Sequence, residues 1–145
     1  MCRLRHIIAA TSEFQTWVGV STTLDALDSI HIAGVTSPTR PFGLISIADF
    51  SFTRFAGGSR DWLRDEGTLR VLFEADIDSG NLTSQEAAEN AFLTDVGEIM
   101  SAATDLSGSG TYLAIESVEL EDVTRSAEDE ADDYYQARCL VRWRA

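Results

Sequence analysis

The sequence predicts an α+β fold: a mixed, largely antiparallel, twisted sheet of about four to five strands, with an N-terminal helix and one long capped helix packed on it. Three observations predict it. Leu69, Val71, Phe73, Ala75 and Ile77 alternate with Arg70, Glu74, Asp76 and Asp78, the period of a half-buried strand. Ala88, Phe92, Val96, Ile99 and Ala103 then recur at spacings of four, four, three and four, one face of a helix. Tyr135, Ala137, Cys139, Val141 and Trp143 alternate with Gln136, Arg138, Arg142 and Arg144, a second two-sided strand.

Taken in order, Leu4, Ile7, Ile8, Thr11, Phe14 and Val18 lie on one stripe, which predicts a single helix over 3–18, stopped by Gly19. Leu24, Leu27 and Ile30 suggest a further helical turn or two, and His31-Ile32-Ala33-Gly34-Val35 a short strand. Pro38 and Pro41 bracket a loop. Phe42 to Phe55 is rich in β-branched and aromatic residues and predicts a strand buried on much of both faces. Ile45 and Ile47 share one face, Leu44, Phe50 and Phe52 the other, with a bulge near Asp49. Residues 56–66 form a long hairpin tip before the alternating strand.

Thr83-Ser84-Gln85-Glu86 has the spacing of a capping box, which places the Thr83 hydroxyl ahead of the long helix. Ser107-Gly108-Ser109-Gly110 ends that helix. From Thr111 to Glu121 the apolar phase changes: Leu113 and Ile115 point inward, then Val118 and Leu120 share a face. A bulge near Glu116 or Ser117 accounts for the change. An acidic loop over about 121–133 leads to the last strand, which leaves little chain for a catalytic apparatus.

At 145 residues the chain is one domain, 1–145, large enough to bury roughly 70% of its unfolded surface. No apolar run reaches the roughly 20 residues of a membrane span. The start, Met1-Cys2-Arg3-Leu4-Arg5-His6, reads as a helix and not as a signal peptide, so the expected site of synthesis and residence is a cytoplasm, or a particle assembled there. Cys2 and Cys139 are expected to stay reduced and unpaired. Every basic residue is arginine, which excludes Schiff-base lysine chemistry and a phosphate-loop lysine, so Gly57-Gly58-Ser59 is not a nucleotide cradle.

Charge is uneven. Residues 1–60 carry five Arg against four acids, residues 61–137 three Arg against twenty acids, and the last eight residues three Arg. Such an acidic body repels phosphate backbones and argues against tight nucleic-acid binding.

Sites for chemistry are scarce. Asp76-x-Asp78-x-Gly80 opens like a calcium loop, but Asn81 and Ala87 stand where that loop needs Gly and Glu. His6 and His31 are the only imidazoles and lack any partner motif. No metal, cofactor or catalytic residue is assigned, and the chain is not expected to be an enzyme. Glu128, Asp129, Glu130, Asp132 and Asp133 form a self-repelling run, either a solvated loop or an acidic rim facing a channel or a basic partner. Trp62 and Leu63, between Arg60 and Arg64, either fold back over the sheet or anchor an interface. Arg138, Arg142 and Arg144 form a ladder of fixed positive charge suited to a neighbouring subunit's acids. Trp143 belongs to the core.

The order of elements resembles the lambda-type tail terminator proteins of long-tailed bacteriophages. The N-terminal helix is followed by a Pro-led apolar strand, Arg40-Pro41-Phe42-Gly43-Leu44-Ile45. An extended hairpin leads to an alternating strand ending in acids, Phe73-Glu74-Ala75-Asp76-Ile77-Asp78, and helix, strand, acidic loop and aromatic-containing strand follow. The likeness covers about residues 3–145 in layout. It implies a virion protein of the tail or neck: a six-membered ring of copies of this chain that caps the tail tube, stops its growth and offers a docking surface to the head–tail connector or stopper. Its partners are then itself, the tail tube protein and the connector, with DNA passing through the lumen without specific binding, and no membrane. The alternatives are another neck component (head completion, stopper or tube protein), a cytoplasmic small-ligand-binding α+β domain, or a metal-dependent hydrolase.

Overall fold

The computed structural model describes residues 1–34, 38–54, 63–76, 82–108, 113–126 and 134–144, with backbone alone for 49–54, 63–66, 82–84 and 126. In chain order these form α1 (Cys2–Ala10), α2 (Ser12–Val18), α3 (Thr23–Ala26), a 3-10 turn (Leu27–Ser29), β1 (Ile30–Ile32), β2 (Phe42–Arg54), β3 (Leu63–Asp76), α4 (Leu82–Leu106), β4 (Ala114–Ser126) and β5 (Tyr134–Arg144). The strands make one sheet in the order β1-β2-β3-β5-β4. Only the β1–β2 pair is parallel, so the sheet is mixed and largely antiparallel, as expected.

The single N-terminal helix expected over 3–18 is two helices, because Thr11 prefers the cap to the helix interior. It sits in an extended conformation (φ −73°, ψ 137°) between α1 and α2. Its hydroxyl donates to the Ile8 carbonyl at 2.8 Å and accepts from the Phe14 amide at 3.2 Å, closing one helix and starting the next. The bend still buries Leu4, Ile7, Ile8 and Phe14. Gly19 ends α2 in the left-handed region, as its position suggested.

The turn and short strand expected between residues 20 and 35 are present as α3, the 3-10 turn and β1. Arg5 ties this segment to α1, donating from Nε to the Ile30 carbonyl at 2.7 Å and from Nη2 to the Leu27 carbonyl at 2.6 Å. Ile30 pairs with Gly43, and a Cβ at Gly43 would stand 3.3 Å from Ile30 Cγ1. The glycine lets the parallel strand close in.

β2 and β3 pair from Phe42↔Glu74 out to Arg54↔Leu63, with a register shift between Ile47 and Asp49, where a bulge was expected. β3 starts at Leu63, well inside the stretch read as hairpin tip. One core assignment is corrected. Ile45 is fully buried, but Ile47 is 57% exposed. The reason is cover: β1, which extends the sheet beyond β2, stops at Ile32 opposite Ile45.

α4 presents Phe92, Val96, Ile99, Met100 and Ala103 to the sheet, with Ala88 half-buried on the same face. It begins at Leu82, so Thr83 lies within its first turn and is not the residue ahead of it; its side chain is outside the described residues. A side-chain signal places a helix start only to within a residue or two. The aromatic centre joins four elements. Trp17 of α2 meets Phe73 of β3 edge-on (5.8 Å between centroids), and Phe92 of α4 stacks on Tyr135 of β5 (5.8 Å). Each such pair adds about 1 kcal/mol to burial alone. The Tyr135 hydroxyl donates to the Gln85 carbonyl at 2.9 Å. Trp143 is half-buried against this core.

β4 slips register against β5 twice, between Ile115 and Ser117, as the phase change required, and again between Leu120 and Asp122, which sequence did not indicate. Each slip sets one extra residue, Glu116 and Glu121, into β4. The apolar residues Ile115, Val118, Leu120 and Val123 therefore stay opposite Trp143, Val141, Cys139 and Ala137, on the helix side of the sheet.

Candidate interaction surfaces

The helices contact one another and form one layer, leaving the other face of the sheet to the alternate strand residues, charged ones such as Arg70, Glu74 and Arg138 among the half-buried Leu44, Leu72 and Leu140. That outward face is laced with ion pairs. Arg40 donates from Nε to Glu74 at 2.7 Å, reaches Asp76 at 3.4 Å and lies over the Tyr134 ring, 4.7 Å from its centroid. Glu74, expected to face solvent, is only 9% exposed, and its second oxygen accepts from Gln136 Nε2 at 3.1 Å. Burial pulls the Arg40 guanidinium down, but the hydrogen bond and charge of Glu74, with Asp76, more than offset it and raise its pKa.

The extra residues of β4 supply the next pairs. Two neighbouring residues at each bulge face outward, so Glu121 crosses over β5 to take a two-pronged bond from Arg70 of β3, at 2.7 and 2.9 Å. Asp122 beside it meets Arg138 at 3.2 Å, and Glu116 meets Arg144 at 3.4 Å. The Arg70 hydrogen bond holds the Glu121 carboxyl below the usual carboxylate range.

This arrangement corrects the arginine ladder. Arg138, Arg142 and Arg144 do line one face of β5, but Arg138 and Arg144 are engaged by acids of their own chain. Register explains it: β4 is the antiparallel neighbour and its bulges aim Glu116 and Asp122 at them. Arg142 alone of the three is exposed and makes no ion pair among the described residues. The other candidates divide. Leu63 and Arg64 occupy the first positions of β3, paired with Arg54 and Thr53, with backbone alone described. Arg60 and Trp62, and the acids Glu128, Asp129, Glu130, Asp132 and Asp133, lie outside the described residues, as do Gly57-Gly58-Ser59, Ile77, Asp78 and Gly80.

The acid excess among the described residues sits on the helix side instead. α4 carries Glu86, Glu89, Asp95, Glu98 and Asp105 and no basic residue. Glu13, Asp95 and Glu98 line a cleft with Trp17 between α2 and α4. Among the described residues no group of three or more His, Cys, Asp or Glu side chains is placed to hold a metal ion. His31 packs against Phe42, 6.2 Å between ring centroids, and burial followed by the nearby Arg5 charge lowers its pKa.

The sheet has two unlike flanks. On one, β4 is an edge strand whose helix-side residues Val118, Leu120 and Val123 are 36%, 51% and 37% exposed. Val118 and Leu120 rim an apolar groove of about 370 Å³ between β4 and α4, with Cys139 in its lining. Burial pushes the Cys139 thiol up to about 11. On the other flank, β2 runs past the end of β1 with Ile47 bare. The alternation of 113–120 contained the signal for the first flank; the second rests on the shortness of β1, which no motif announces.

Among the described residues no helix is long and apolar enough to cross a membrane. Comparison with known proteins gives no matching family model and no matching curated protein.

Proposed function

We propose that the chain is a structural virion protein, a ring-forming tail terminator that caps a phage tail tube, stops its polymerisation and offers a docking surface to the head connector, without catalysis. The observation that carries this reading is the pair of unlike flanks on one sheet. A closed ring needs a heterologous contact, in which one patch of the subunit meets a different patch of its neighbour. The β4 flank is grooved and apolar; the β2 flank carries an exposed isoleucine and continues toward a ribbon with Arg54 and Arg64 near its end. A six-membered ring is the expected size from the layout resemblance. The acids of α4 and of 128–133 then give the assembly a surface that repels DNA in transit.

The outward ion-pair lattice supports the same reading. Arg40, Arg70, Arg138 and Arg144 are already paired with acids of their own chain, which leaves less free positive charge to attract a phosphate backbone. Negative-stain electron microscopy of the purified protein tests the proposal. Isolated closed rings are expected; spontaneous long tubes would assign the chain to the tube instead, and dispersed monomers would remove the ring altogether. A second reading, a small-ligand-binding domain, is favoured by the apolar groove alone.

A further inference from the structure

Gly97 stands in the middle of the 25-residue helix α4, where glycine weakens a helix, and among the described residues no atom beyond its chain neighbours and the local helix backbone lies within 4 Å of the place its Cβ would occupy. Packing within the chain therefore gives no reason for it. It lines the α4–β4 groove, together with Ser101 and Thr104 one and two turns on. Val118 and Leu120 across the groove are held on the helix side by the bulge at Glu116, yet they remain exposed. Helix and strand together leave an open apolar slot with a floor that admits close approach.

The complementary feature lies on the same molecule. Ile47, Leu69, Val141 and Val118 form one row across the sheet, from the bare edge of β2 to the groove. Ile47 and Val118 thus face the same side at opposite flanks. Strand direction fits as well: β2 runs antiparallel to β3, β3 to β5 and β5 to β4, so β2 and β4 run oppositely. A neighbour rotated about an axis along the strands brings its β2 flank to β4 with the helix layers on the same side. The chemistry of the two faces matches as well: the groove is lined by apolar side chains with Ser101 and Thr104 and by no charged one, and Ile47 is an uncharged residue left exposed.

Building on the ring reading, we infer that the α4–β4 groove is the acceptor half of the subunit contact and takes the β2 flank of a second copy, centred on Ile47. Gly97 is the point of closest approach, and Leu120 the apolar wall opposite.

Two variants test this from opposite sides by native mass spectrometry and analytical ultracentrifugation. Gly97→Leu fills the slot in open space and keeps the monomer folded; Ile47→Glu removes the inserted residue at an already exposed site. Each alone is expected to lose the ring at concentrations where the wild type is assembled, with unchanged circular dichroism. Mixed together they are expected to form a one-to-one pair, because each retains the half the other lacks. If both variants still form rings, or if the mixture gives no pair, the groove assignment fails while the ring reading stands. If the wild type is monomeric at every attainable concentration, both fail. A small molecule retained by the wild-type monomer and excluded by Gly97→Leu would assign the groove to a ligand instead.

Discussion

Replacing Glu74 by alanine removes the hub of the outward face. The carboxylate accepts a short bond from Arg40 (2.7 Å) and a longer one from Gln136 (3.1 Å), with side-chain exposures of 12% for Glu74 and 21% for Arg40. Removing one partner of a fully buried pair costs about 3–5 kcal/mol, and of an exposed pair less than about 1 kcal/mol. This pair lies nearer the buried end. After the change Arg40 keeps Asp76, at 3.4 Å and 72% exposed, and the Tyr134 ring at 4.7 Å. Gln136 loses the acceptor for its amide. A loss of about 2–3 kcal/mol follows, which for a domain of this size lowers the melting temperature by roughly 6–10 °C. Urea unfolding followed by tryptophan fluorescence measures it. A double-mutant cycle with Arg40→Met isolates the pair, and the double variant should recover about 1 kcal/mol or more of the single loss, since no charge is then left unpaired. A Glu74→Ala protein within about 0.5 kcal/mol of wild type, a change typical of an ordinary surface site, would refute the reasoning.

Three further outcomes follow from the geometry. Thr11→Ala removes both the bond that closes α1 and the cap of α2, and should cost about 1–2 kcal/mol by the same unfolding assay. Arg70→Met should raise the Glu121 carboxyl to its ordinary range in a side-chain NMR titration. Because the folded-state value of Glu121 is depressed in the wild type, its small contribution is present above the unfolded carboxylate pKa and is lost as pH falls through the folded one; the variant lacks that slope. A thiol reagent near neutral pH should label exposed Cys2 at once and Cys139 only after denaturation, since Cys139 is buried and its thiol is pushed up to about 11.

The regular parts of the fold were legible because burial imposes a period. The alternation of 69–75 and 135–143 fixed two central strands, and the face Phe92–Val96–Ile99–Ala103 fixed the helix over them. The phase change between Ile115 and Val118 even located a bulge. What escaped was decided by neighbours in space. Nothing in the spacing of Ile47 distinguishes it from Ile45, since the difference lies in how far β1 extends. Thr11 fits a helical stripe and a cap equally well, and the cap won. Glu74 alternates like a solvent-facing residue and becomes buried because Arg40, distant in sequence, folds over it. For the candidate surfaces, charge clustering found the arginines of β5 but not their partners, because a bulge changes which side an acid faces and leaves little trace when both neighbours are acidic, as at Glu121-Asp122.

The two inserted residues of β4 bear on how the molecule avoids its own kind outside the proper assembly. Thirteen residues of β4 span the same ladder as eleven of β5, so the rim strand carries surplus length and must curl. A stray straight strand could match hydrogen-bonding groups only along one of the short regular runs, Ser117–Leu120 or Asp122–Ser126, before falling out of step at the bulge between them. Fibril growth by stacking rim on rim is thereby discouraged, even though the flank is rich in valine and leucine.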